Sequence, residues 1–226
     1  MSRGHLLVTG FGPFPGVPVN PSAVVARRLV ALARRHGLAG GDVRLLVLPT
    51  TYGAIPTHLV PALREPPAAV LMLGVARRAT RVRVEFRARN RASRLFPDAS
   101  GALARCLALL ADGPSERRAH VAAQALVALR RNGIRAIPSH DAGRYLCNAA
   151  YYRALAEDIP VLFVHVPPLP PTGRLGLRRA PAVETLAAAL VTVARGLLAG
   201  RSVHPVGGKH RENPIDAVPN RISGVL

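Results

Sequence analysis

Residues 5–37 read HLLVTGFGPFPGVPVNPSAVVARRLVALARRHG, and this stretch decides the fold. His5-Leu6-Leu7-Val8-Thr9 is an apolar run of strand length, closed by a glycine- and proline-rich turn from Gly10 to Pro18. A helix follows directly. Asn20 is a good N-cap, and Pro21 suits the first helical position, where its missing N–H costs nothing. Val24, Val25, Leu29 and Leu32 make one apolar face, Arg27, Arg28, Arg34 and Arg35 take the solvent side, and Gly37 stops the run. A buried strand turning into an amphipathic helix is the first half of a β-α-β unit.

The rest of the chain repeats the alternation. Val43 to Leu48 and Ala68 to Leu73 read as buried strands with a proline-interrupted helical stretch between them, and Val161 to Val166 as the last strand. Val82 to Arg89 alternates strictly, with Val82, Val84, Phe86 and Ala88 on one face and Arg81, Arg83, Glu85, Arg87 and Arg89 on the other. Helices are predicted over 103–111, His120 to Arg131, Leu146 to Glu157 and Pro181 to Leu198, with a short strand from Ile134 to Pro138. Apolar strands separated by helices give an α/β fold whose mostly parallel sheet is covered on both faces. One domain over residues 1–199 is expected, followed by a flexible tail over 200–226 that mixes proline, glycine and charge without period.

Composition narrows the function classes. The formal charge is +19, yet Lys209 is the only lysine, the arginines are spread through every segment, and aromatics make up only 4%. A nucleic-acid site would need clustered cations and stacking platforms, so the pattern argues for an arginine-rich composition and against a nucleic-acid partner. No uninterrupted apolar run reaches membrane-spanning length, and the amino terminus has no secretory h-region. Cys106 and Cys147 are too few for a disulfide framework. Both thiols suit a reducing cytoplasm, which is the expected location.

Three places carry candidate chemistry. The loop Gly10-Phe11-Gly12-Pro13-Phe14-Pro15-Gly16 has neither the dinucleotide nor the phosphate-loop spacing. Its two phenylalanines either face a flat, nearly apolar ligand or pack on the core. Cys147, in Ser139-His140-Asp141-Ala142-Gly143-Arg144-Tyr145-Leu146-Cys147-Asn148, falls in the first turn of a helix. Unpaired N–H groups and the helix dipole there favour an anion, hence a thiolate, although a buried inert cysteine fits as well. Cys106, among Leu107, Leu109 and Leu110, has that inert look.

A thiol nucleophile needs a base and a group to orient it. His165 sits at the carboxyl end of the last strand, where catalytic groups of α/β sheets gather; His140 is its rival. Glu85, the only acid among four arginines, is a candidate orienting carboxylate or a member of an ordinary cross-strand ion pair.

In order and local wording these patches resemble the pyroglutamyl-peptidase I (pyrrolidone-carboxyl peptidase) family of cysteine peptidases, over roughly residues 6–198. The resemblance rests on Thr9-Gly10-Phe11-Gly12-Pro13-Phe14 with Asn20-Pro21-Ser22, on Gly74 through Glu85 and Asn90, on Ser139 through Asn148 with Tyr151-Tyr152, and on Phe163-Val164-His165-Val166-Pro167-Pro168. It implies a single-domain, three-layer α/β/α sandwich with a mostly parallel, mixed sheet and no metal or organic cofactor. It further implies Cys147 as nucleophile, His165 as general base and acid, and Glu85 as the orienting carboxylate. Phe11, Phe14 and Asn20 would serve the substrate, a peptide with an amino-terminal pyroglutamate, and a homo-oligomer is compatible with it. Two other readings are a non-catalytic member that binds an acidic partner or RNA, and a related amidohydrolase with a changed pocket. The chain also departs from the family. Val75-Ala76-Arg77-Arg78 stands where many relatives carry Gly-Gly-Arg, and Pro97-Asp98-Ala99-Ser100-Gly101 where the family has Pro-Asp-Asn-Glu-Gly.

Overall fold

β1 (Leu6–Phe11) is buried along its whole length and passes through the glycine-proline turn into α1 (Pro21–Arg35). Asn20 caps α1, accepting from the Ser22 N–H at 3.1 Å, and Gly37, at φ 61°, closes its far end. These observations come from a computed structural model, which describes residues 4–168 and 181–200. α1 presses so closely on β1 that a Cβ on Gly10 would stand 3.0 Å from both the Ala23 Cα and the Ser22 carbonyl oxygen. Only glycine permits that approach.

The remaining elements are β2 (Val43–Leu48), α2 (Val60–Arg64), β3 (Ala69–Val75), β4 (Val82–Glu85), β5 (Arg87–Arg89), β6 (Glu116–Arg118), α3 (Ala122–Arg131), β7 (Ala136–Ser139), α4 (Leu146–Ala154), β8 (Val161–Val166) and α5 (Val183–Gly200). A π-helical turn, Ile55–Leu59, leads into α2. Six strands form the main sheet in the order β2-β1-β3-β8-β4-β7. The first four are mutually parallel; β4 runs antiparallel to β8 and parallel to β7, so the sheet is mixed and mostly parallel as expected. α1, α3 and α5 pack together on one side of the sheet, while α4 and the turn before α2 pack on the other.

α5 is long and apolar enough to cross a membrane by length and composition. Here Leu186, Leu190, Val193, Ala194 and Leu197 are buried, and α5 packs against α1 and α3 as a core helix. Arg28 of α1 pairs with Glu184 in its first turn.

Three expectations are corrected. The segment 103–111 is not a helix. Asn90 takes its backbone groups instead: its Nδ2 donates to the Leu110 and Gly113 carbonyls at 2.7 and 3.1 Å, and its Oδ1 accepts from the Leu110 N–H at 2.9 Å. Cys106, in this segment, is exposed and not buried. The single strand expected over Val82 to Arg89 is two strands. Glu85 is the last residue paired with β7, and Phe86, half-buried, turns its ring onto His140 at 5.2 Å. β5 then joins β6 in a separate two-stranded sheet, where Arg87 pairs with Glu116 at 2.7 Å. Alternating sequence survives such a break, because each half keeps a period of two. The expected tail beyond Gly200 lies outside the described residues.

Candidate active site

The site forms where the carboxyl ends of β3 and β8 meet the amino end of α4. Parallel pairing of β3 with β8 sets Gly74 beside His165, and antiparallel pairing of β4 with β8 sets Glu85 opposite Phe163 and Arg83 opposite His165. Residues facing each other across a ladder share a sheet face, so Phe163, His165, Gly74 and Glu85 all address the side that α4 covers. Glu85 is the diagonal neighbour of His165, within reach of a long side chain.

That reach is used. The His165 Nδ1–H donates to Glu85 Oε1 at 2.8 Å, and Glu85 is fully buried. With Nδ1 so engaged, the opposite ring nitrogen is left free for proton transfer, and Cys147 lies near enough to the ring to act on its charge. Burial pushes the imidazolium pKa down, but hydrogen bonds and charge from Cys147 and Glu85 outweigh it and raise His165 to about 9. The other carboxylate oxygen, Oε2, is buried without a hydrogen-bond partner among the described residues. A lone buried carboxylate is costly, so its neutralisation falls on the imidazolium. Arg87 of the same strand pattern does not share in this: it goes to Glu116 and to the His140 carbonyl.

Cys147 is the second residue of α4 and only part-buried. Tyr145 at the cap offers no side-chain acceptor, which leaves the first-turn N–H groups uncapped around the thiol. A Cβ on Gly74 would lie 3.0 Å from Cys147 Sγ and 2.6 Å from Phe163 Cζ, so β3 approaches the sulfur as closely as a bare backbone allows. Asn148, next in sequence and fully buried, locks α4 in place. Its Nδ2 donates to the Arg89 and Arg91 carbonyls at 2.8 and 2.9 Å, and its Oδ1 accepts from the Arg89 N–H at 2.8 Å. One turn further on, the Tyr151 hydroxyl donates to the Glu85 carbonyl at 2.9 Å. Thus α4 positions the thiol and the carboxylate-bearing strand together.

The loop after β1 forms the adjoining wall. Phe11 is buried with its ring centroid 6.4 Å from that of Phe163, which in turn lies 4.8 Å from the His165 ring. Phe14 is half-buried, its backbone bridged to Val17. Asn20 is buried with its side chain turned onto the loop: besides capping α1, it donates from Nδ2 to the Gly12 carbonyl at 2.8 Å. Thr50 donates to the same carbonyl at 3.0 Å. Asn20 therefore holds the loop that carries the phenylalanines. Beyond it, Asp98 accepts from the Tyr52 N–H, from Ser100 and from the Ala102 N–H. Those bonds outweigh the effect of burial and lower its pKa. The Tyr145 hydroxyl donates to the Pro97 carbonyl at 3.0 Å, tying this loop to the cap of α4.

The ring of His140, the rival base, packs on Phe86. The sequence reading did not single out Gly74, Phe163, Tyr151 or Asn148 for roles in the site. Phe163 could have been found, because it precedes His165 by two on an alternating strand and must share its face.

A thiol at a helix amino terminus, near a histidine tethered to a buried acid at the carboxyl ends of the central strands of a mixed α/β sandwich, has the make-up of a cysteine hydrolase. Comparison with known proteins narrows this. A sequence model of pyroglutamyl peptidase matches residues 4–195, and the chain belongs to that family. It is 37% identical over 173 residues to the pyrrolidone-carboxylate peptidase of Gloeobacter violaceus, covering 74% of this chain and 82% of the relative. It is 33% identical over 195 residues to that of Pseudomonas fluorescens, covering 82% and 88%. The crystal structure of pyrrolidone carboxyl peptidase from Thermus thermophilus superposes with a TM-score of 0.73 at 32% identity, over 84% of this chain and 98% of that one.

Proposed function

We propose that this protein removes amino-terminal pyroglutamate from peptides, with Cys147 as nucleophile, His165 as proton carrier and Glu85 as the group that orients and charges His165. The observation that carries this reading is the pair of Glu85 Oε1 and His165 Nδ1 at 2.8 Å, with the Cys147 sulfur against Gly74, the ladder partner of His165.

Cys147 Sγ attacks the carbonyl carbon joining pyroglutamate to the next residue. In this reading the N–H groups at the uncapped start of α4 hold the resulting oxyanion. His165 protonates the leaving amine as the C–N bond breaks, which leaves a thioester and a shortened peptide. Water then gives its proton to His165 and attacks the thioester, releasing pyroglutamate and restoring the thiol. A lactam ring carries no charge and two nearly apolar faces, which suits the wall around Phe11 and Phe14. Asn20 contributes by fixing the Gly12 carbonyl. We place the activity in the cytoplasm, where Cys147 and Cys106 stay reduced.

The test is a fluorogenic assay with pyroglutamyl-aminomethylcoumarin under reducing conditions. Wild-type protein is expected to release the fluorophore, and Cys147→Ser and His165→Ala to abolish release. Folded wild-type protein without turnover would overturn the proposal.

A further inference from the structure

Two arginines on elements that frame the site, Arg77 and Arg83, have no counter-charge among the described residues. Arg77, three residues after Gly74 on the connection from β3 to β4, is exposed, and one of its guanidinium nitrogens lies 3.8 Å from where a Cβ on Gly16 would stand. It therefore lies against the loop that carries Phe14. Arg83, on β4, is part-buried and directly opposite His165, which sets the two side chains on the same sheet face. Neither arginine has a side-chain hydrogen bond or ion pair among the described residues.

The acids at this end of the molecule are engaged elsewhere. Glu85 holds His165, Asp98 gathers backbone N–H groups and Ser100, Glu116 pairs with Arg87 and Arg118, and Asp141 turns back to the Gly143 N–H. Two guanidinium groups without a carboxylate partner among the described residues, one against the loop wall and one on the strand paired with His165, add positive potential that attracts anions. Pyroglutamate is neutral, so any anionic group on the substrate must lie after the scissile bond. Arg83 is the ladder partner of His165, the residue that hands its proton to the leaving amine.

We infer that Arg77 and Arg83 form a cationic rim that selects peptides bearing a carboxylate side chain in the first residues after pyroglutamate. This rests on the peptidase reading above and deepens it. The rim meets the substrate before and during reaction alike, so its effect falls on KM more than on kcat.

The test uses amidated peptides identical except for glutamate or glutamine immediately after pyroglutamate, with a free-acid version of the glutamine peptide to separate a side-chain carboxylate from a chain terminus. Each exposed ion pair is worth about threefold, so wild-type kcat/KM should favour the glutamate peptide by about tenfold. That preference should shrink as salt is added. Arg77→Gln and Arg83→Gln should each lower the preference about threefold, mainly through KM, while Arg83→Lys keeps most of it. Arg35→Gln, at the far end of α1, should leave it unchanged. Equal cleavage of the two amidated peptides, preference only for the free terminus, or a preference intact in both glutamine variants would overturn the inference. Cleavage of neither peptide would instead overturn the peptidase reading beneath it.

Discussion

The two cysteines live in regions built on opposite principles. Cys147 is held in the first turn of α4, with Gly74 against its sulfur, His165 beside it and Asn148 locking the helix by three hydrogen bonds. Cys106 lies exposed on an irregular segment that Asn90 organises through its backbone, with Leu103 and Leu107 exposed around it. The same side chain is thus placed once in a helix turn beside a histidine held by a buried acid, and once exposed on an irregular segment. Reactivity belongs to the setting and not to the thiol.

The sharpest way to break this contrast is to remove each sulfur in turn. Cys147→Ser should lower kcat/KM by about 10⁴-fold or more, while Cys106→Ser leaves it unchanged, both read with the fluorogenic substrate. Next in size is Glu85→Gln, which keeps the shape but removes the carboxylate charge that supports the protonated His165. A loss of about 10²- to 10⁴-fold is expected, with the fold retained by circular dichroism. Gly74→Ala forces a methyl group between Phe163 and Cys147, and a displacement on the order of 1 Å should cost about 10²-fold in kcat.

The smallest effect is on pH dependence. His165 is raised from 6.5 to about 9, so the stabilisation that its protonated form gains from its partners is complete below pH 6.5 and is lost as pH rises through about 9. The alkaline limb of kcat/KM should fall in the same region. Glu85→Gln withdraws a partner of the protonated ring and should move that limb to lower pH.

Much of this was legible in the sequence because it depended on local pattern. Strand β2 from Val43 to Leu48 and strand β8 from Val161 to Val166 fall where their apolar runs place them, and α1 begins at the Asn20-Pro21 signal. What escaped depends on contacts between distant segments. Asn90 overrides the helical spacing of Leu103, Cys106, Leu107 and Leu110 by bonding across about 20 residues. Glu85 looked like one charge on an arginine face, yet it is fully buried, because the chain changes sheets immediately after it. The work of Gly74 exists only through register with His165 and the approach of α4, neither of which leaves a mark near residue 74.

The central claim is covalent, and acid quenching followed by peptide mass spectrometry tests it most directly. Wild-type protein stopped during turnover of a pyroglutamyl peptide should carry a pyroglutamyl adduct on the peptide that contains Cys147, and none on the one that contains Cys106. Rapid turnover with Cys147 unmodified throughout, or an adduct on Cys106, would contradict the account.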